Sequence, residues 1–372
     1  MITPRVSDIV GIINKFAPFA FAEEWDNVGL QVGNPAAPAG KIMVALDPCK
    51  GAVEAAVADK CQLLLTHHPL IFSPLKKITA TDATGFLVSL ALKNDLSVVS
   101  LHTNYDTADG GLNDLLAARL GLASCEPLRV TGAEELVKLS VFVPKGYEEV
   151  VLASLFSFSD VIGKYRDCSF QTTGVGTFTP LAGAEPFLGK VGSREFVEET
   201  RIEVLIRKAN LSAAVNAMLA VHPYEEPAYD LYPLFNKGKQ RGLGRICRLA
   251  DATTLGALVV LIKERLALAG VRFVGDRDRQ VKKVALCGGS GASLLKEACR
   301  QGADVFVTGD IKYHDAREAE ALGLALVDAG HFATEILMVE GVAARVAHEL
   351  GEKGYSAEVV AFKEEREPFV YA

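Results

Sequence analysis

Two separate parts of the chain alternate short apolar runs with helix-like stretches, and this alternation constrains the fold more than any other feature. KIMVALD (41–47), CQLLLTHH (61–68) and LSVVSLHTNYD (96–106) read as strands. GAVEAAVADK (51–60) and DATGFLVSLALKND (82–95), between them, have helical composition. Strands that are apolar throughout and separated by helices indicate a parallel sheet covered on both faces. The scheme returns at VKKVALCGGSG (281–291), ADVFVTGD (303–310) and LALVDAG (324–330), with helical ASLLKEACRQG (292–302) and HDAREAEALG (314–323) between and a helix from about His331. The two parts align almost without gaps: Val44-Ala45-Leu46 on Val284-Ala285-Leu286, Thr66 on Thr308, His102 on His331 and Asp106 on Glu335. The pattern predicts one α/β unit, internally duplicated.

A different pattern separates the halves. LVKLSVFVPKG (136–146) and ETRIEVLIRK (199–208) alternate like half-buried strands, and YEEVVLASLFSF (147–158) is helical. YRDCSFQTTGVGTFTPL (165–181) is a strand entering a Gly-rich turn, and residues 212–235 read as a helix leading to an edge strand. This order suits a small ferredoxin-like α+β domain. NKGKQRGLG (236–244) reads as the linker back. The expected organisation is therefore a first α/β half over 1–129, an insert over 130–238 and a second half over 239–372.

Composition narrows the function classes. The 49% hydrophobic and 23% charged residues argue against both disorder and a membrane protein. No apolar run approaches the ~20 residues of a membrane span, and the N-terminal stretch lacks a signal-peptide pattern. A net charge of −7 removes the electrostatic case for nucleic acid binding. The seven cysteines are scattered, odd in number and without a C-x-x-C pair, which predicts a reducing cytoplasm, no disulfide framework and no thiolate zinc site.

In parallel α/β sheets ligands bind beyond the carboxyl ends of the strands. Three polar clusters fall there: His67-His68, His102 to Asp106, and His331 to Glu335. A lone histidine at a strand end is ordinarily a hydrogen-bonded structural residue, but three clusters at equivalent ends point to a nitrogen–oxygen site for divalent metal. The donors are too many for one tetrahedral ion and suit two ions sharing a bridge. His102 reads either as a ligand, by its alignment with His331, or as a residue orienting one. TGDIKYHDA (308–316) places Asp310, Lys312 and His314 past another strand end. His314 is a candidate proton donor or phosphate contact, or simply a helix N-terminal residue. CGGSGAS (287–293) reads either as a phosphate cradle lacking the P-loop Lys-Ser/Thr or as a tight structural turn. His222 in the insert reads as structural.

EEWDNVGLQVG (23–33), THHPLIF (66–72), HTNYD (102–106), TGDIKYHDA and GHFATE (330–335) occur in order across both halves. They resemble the signature segments of the Nif-three-like family, whose members are named GTP cyclohydrolase 1 type 2 homologs. The resemblance implies a dinuclear metal centre held by His67, His68, Asp106, His331 and Glu335, with His102 outside the usual ligand set. It implies a homohexamer built as a trimer of dimers, and, in the long form, a middle domain similar to the PII and CutA group, which the insert resembles. The implied activity is metal-dependent hydrolysis of a nucleotide-like small molecule, in the GTP case adding water at C8 of guanine and releasing formate. The two ions would be zinc, iron or manganese. The alternative is a non-catalytic metal-binding regulatory hexamer in which the insert senses a ligand.

Overall fold

A computed structural model describes residues 2–159 and 163–370. The chain divides into two compact units, one made of Met1–Thr131 with Arg241–Ala372, the other of Gly132–Gln240. The strands, in chain order, are β1 (Gly29–Val32), β2 (Lys41–Ala45), β3 (Leu63–Thr66), β4 (Ser97–Ser100), β5 (Ala123–Pro144), β6 (Ser169–Phe178) and β7 (Glu195–Arg207). They continue as β8 (Tyr229–Thr254), β9 (Arg272–Val274), β10 (Gln280–Ser290), β11 (Val305–Gly309), β12 (Ala325–Asp328) and β13 (Glu358–Ala361).

The discontinuous unit contains two sheet systems of similar order. In one, β2, β3 and β4 are parallel, β1 lies antiparallel against β4, and β13 runs parallel to β2. In the other, β10, β11 and β12 are parallel, β9 lies antiparallel against β12, and β8 lies antiparallel to β10. The central strands are apolar on both faces because both faces are covered. Leu63, Leu64 and Leu65 are completely buried, as are Val305, Phe306 and Val307. Each third strand ends just before a five-residue helix, Thr103–Thr107 after β4 and His331–Glu335 after β12.

A buried ion pair anchors β8 inside this unit. Arg245, 4% exposed, holds both oxygens of Asp114 at 2.6 and 2.7 Å and donates to the carbonyls of Gly242, Gly244 and Ala108. Removing one partner of a buried pair strands the other groups. Arg245→Ala is therefore expected to cost about 3 kcal/mol, the low end for such pairs because the Asp114 side chain keeps 30% of its exposure. Arg300→Ala, which breaks the exposed pair with Glu297, is expected to leave the urea midpoint nearly unmoved. Equal midpoints for the two variants would remove Arg245 from this role.

In the unit Gly132–Gln240, the strands alternate as a sheet with one covered face should. Leu139, Val141 and Val143 of β5 and Ile202, Val204 and Ile206 of β7 pack against Leu152, Leu155, Ala214 and Met218 of the helices Glu148–Phe156 and Leu211–Val221. β7 pairs antiparallel with both β5 and β6.

Two expectations are corrected. NKGKQRGLG is not a loop: β8 runs straight through it. Its glycines serve close approach within a sheet. A Cβ at Gly242 would lie 1.9 Å from the Arg129 carbonyl oxygen. Cys125 and Cys247 form a disulfide, where the scattered cysteines predicted none. The pair lies on β5 and β8, which are sheet neighbours, so a sequence separation of 122 residues closes without being visible in the spacing. No helix among the described residues is long and apolar enough to cross a membrane.

Candidate metal centre

Four imidazoles converge beyond the strand ends, and in each the Nδ1 atom is already committed. His67 Nδ1 donates to the Leu101 carbonyl at 2.7 Å. His68 Nδ1 donates to Asp47 at 2.7 Å, His102 Nδ1 to Asp26 at 2.8 Å and His331 Nδ1 to Asp310 at 2.7 Å. A carbonyl or carboxylate only accepts, so each Nδ1 carries the proton and each Nε2 of a neutral ring carries a lone pair. This is the arrangement by which outer carboxylates fix the tautomer of metal-binding histidines.

The Nε2 atoms and two carboxylates face one another. His68 and His331 Nε2 are 3.3 Å apart and lie 3.1 and 2.9 Å from Glu335 Oε2. His67 Nε2 lies 3.6 Å from Asp106 Oδ1 and 3.7 Å from Glu335 Oε1. His67 Nε2, Asp106 Oδ1 and Glu335 Oε2 are buried and make no hydrogen bond. Converging lone pairs at such distances are stable only with a cation between them, a proton or a metal ion. Without an ion, protons are drawn in. Burial pushes His68 down, but its hydrogen bond to Asp47 and the Glu335 carboxylate facing its Nε2 raise it to about 10. The facing Glu335 carboxylate, against burial, raises His331 to about 9. Burial pushes the Asp106 carboxyl up.

Local structure explains the placement. His67 and His68 follow the last residue of β3, and both backbone N–H groups donate to the Leu46 carbonyl. His331 and Glu335 stand four apart on one short helix and so share a face. Asp310, directly after β11, adopts φ +55°, a left-handed turn that aspartate tolerates. Gly289 is required by packing: a Cβ there would sit 2.0 Å from Glu335 Oε1. The segment CGGSGAS is accordingly neither a phosphate cradle nor a tight turn: it is the end of β10 running into a short helix, Ala292–Leu294. Its N–H groups at Gly288, Gly289 and Gly291 donate to Asn113, Thr334 and Thr308, leaving none of the three for a phosphate.

The structure thus brings together His67, His68, His102, Asp106, His331 and Glu335. His314 is exposed, its ring packs against Tyr313, and it belongs to neither donor group. Sequence reasoning missed Asp47 and Asp26 as orienting groups. Burial pushes the Asp26 carboxyl up, but hydrogen bonds from His102 and Thr103 outweigh it and hold it at about 2. Asp26 belongs to EEWDNVGLQVG, a segment in which no periodicity or spacing assigns a role to any single residue.

The Duf34/NIF3 (NGG1p interacting factor 3) family model matches residues 4–368. The chain belongs to the Duf34/NIF3 family. A Bacillus subtilis member named "GTP cyclohydrolase 1 type 2 homolog" is 42% identical over 364 residues, 98% of this chain and 97% of the relative. A member with the same name from Halalkalibacterium halodurans is 40% identical over 98% of both chains. A solved Bacillus cereus protein related to NIF3 superposes with a TM-score of 0.93 at 39% identity, over the whole of both chains. The histidine and glutamate side chains of this Duf34/NIF3 chain could hold a metal ion: donors of His67, His68 and His102, and of His68, His331 and Glu335, form two groups, each within 4.8 Å.

Proposed function

We propose that this chain is a metal-dependent hydrolase of a nucleotide-like small molecule, working at two divalent ions. The observation that carries the reading is the set of inward-facing Nε2 atoms together with buried Asp106 and Glu335 oxygens that make no hydrogen bond. Two overlapping donor groups support a pair of ions, with His68 in both groups and Glu335 reaching His67 through one oxygen and His68 and His331 through the other. Imidazole and carboxylate donors suit zinc, iron or manganese. A bound divalent ion lowers the pKa of water to ~7, which supplies a nucleophile at neutral pH.

The chain's own residues hold and orient. Asp47, Asp26 and Asp310 fix three rings, and the cluster opens towards solvent on the His331 side, whose side chain keeps 35% of its exposure. Trp25 and Phe72, 58% and 56% exposed, lie with centroids 5.9 Å apart, and the indole stands edge-on to the His102 ring. Such an exposed aromatic pair offers a stacking surface to a planar heterocycle. The name shared by the relatives makes guanine ring opening with release of formate the first reaction to test.

Metal-replete protein should be assayed on GTP, other nucleotides and phosphoesters, following formate and phosphate. Turnover is expected, and Trp25→Ala should raise KM about tenfold with little change in kcat, as loss of one stacked ring would. No turnover across the panel would overturn the reading.

The second reading, a metal-binding regulatory hexamer whose insert senses a ligand, has its own observation: the inserted unit contains a cavity of about 690 Å³. Both readings take the assembly as a trimer of dimers and the insert as PII- or CutA-like. Exposed Phe170, Val175 and Phe196 on β6 and β7 support self-association, and light scattering on the purified chain tests for the hexamer.

A further inference from the structure

The cavity in the inserted unit has an unusual combination of walls. Its aromatic side is built around Tyr224, whose ring lies 6.1 Å from Phe178 and 6.2 Å from Phe187. His222 pins this corner by accepting from the Tyr224 N–H at 3.1 Å and holding the Phe142 carbonyl at 3.0 Å. The loop carrying Phe187 is tied down as well, Gly192 N–H donating to the Pro180 carbonyl and Glu185 N–H to Glu225.

Against these rings stands a buried carboxylate. Glu199, on β7, is 8% exposed, and its side chain fills the space above Gly176 of β6, where a Cβ would lie 2.0 Å from Oε2. Its neighbouring donor is the neutral Tyr224 hydroxyl. That hydroxyl is buried and faces the carboxylate without a well-aligned hydrogen bond. Burial and the neighbouring carboxylate push that phenol up, so it stays protonated. A buried carboxylate met only by one neutral hydroxyl is costly unless something positive meets it. The remaining charged lining, Glu225 and Glu226, is also acidic, and among the described residues no lysine or arginine lines the cavity.

We propose that this cavity is a binding site for a small organic cation, an aryl- or alkylammonium whose charged head meets Glu199 and whose apolar body lies against Phe178, Phe187 and Tyr224. Aromatic faces attract ammonium groups, most strongly where water is excluded. A volume of about 690 Å³ suits a small molecule. The acidic lining disfavours nucleotides, and the apolar walls disfavour a hydrated metal ion. The proposal concerns binding alone and stands whether or not the metal cluster is catalytic.

Calorimetric titration of the full chain with 2-phenylethylammonium, its neutral analogue 2-phenylethanol, ATP and magnesium tests it. The ammonium is expected to bind at least about tenfold more tightly than the alcohol. Glu199→Gln should remove that advantage while leaving the alcohol's affinity unchanged. Gly176→Ala should weaken ammonium binding too, by displacing the carboxylate. The same titration on Glu335→Ala should return the wild-type value, separating this site from the metal cluster. Absence of ammonium binding, equal affinity for the alcohol, indifference to Glu199→Gln, or displacement of the ammonium by ATP or magnesium would each overturn the proposal.

Discussion

Protein purified without chelator is expected to carry about two divalent ions per chain, and His68→Ala and Glu335→Ala are each expected to lose them. The two residues are chosen because each reaches across the cluster. Glu335 presents one oxygen to His67 and the other to His68 and His331, and His68 belongs to both donor groups. Deleting either should therefore affect both ions rather than one.

The size of the effect can be ranked from the same geometry. Outer partners of metal ligands typically contribute roughly 10- to 100-fold in affinity, so Asp47→Asn and Asp310→Asn should weaken metal binding by about that factor. Each leaves its histidine in place but removes the carboxylate that fixes the tautomer. The ligand deletions should exceed roughly 100-fold. His314→Ala, at an exposed position beside Tyr313, should change nothing. Competition against a series of chelators reads the whole order. Metal content that ignores both His68→Ala and Glu335→Ala would mean the imidazoles are structural, each satisfied through Nδ1 alone.

The parts of this architecture that show in the sequence are those where burial leaves a continuous signature. The runs that become β3 and β11 are apolar and buried along their length because helices cover both sheet faces. Edge strands give no such signal: β1, β9 and β13 have four, three and four residues, and each pairs with the sheet along one edge only. The segment 236–244 misleads for a different reason. Its glycines look like turn residues, yet at Gly242 the missing side chain lets two strands approach. The cluster follows the same division. Histidines at strand ends stand out because an apolar run stops on them. Asp26 is a single aspartate in an irregular segment, with no period to mark it, and Asp47 closes the run KIMVALD with no histidine beside it to draw notice. Asp26 reaches His102 across a separation of 76 residues, so its role appears only once the chain is folded. The near-symmetric alignment makes His102 the counterpart of His331, and both indeed follow a third strand with Nδ1 held by an aspartate.

Gly289→Ala is expected to empty the metal site while leaving the fold intact, a large consequence for one methyl group. Gly289 has φ +61°. Alanine in that left-handed conformation carries a backbone penalty of roughly 1–2 kcal/mol. That alone would lower stability without touching metal. The larger effect is steric. The new Cβ would stand 2.0 Å from Glu335 Oε1 and 3.3 Å from His331 Nε2. Glu335 cannot swing aside cheaply, because it is 4% exposed and hemmed in by three imidazoles. Gly302→Ala separates the two contributions. Gly302 has a similar φ of +70°, but a Cβ there would meet nothing within 4 Å. Both variants should lose comparable stability from the backbone, and only Gly289→Ala should also lose bound metal. Full metal content in Gly289→Ala would show that the Glu335 carboxylate can move without releasing the ions, and would remove it as the residue joining the two donor groups.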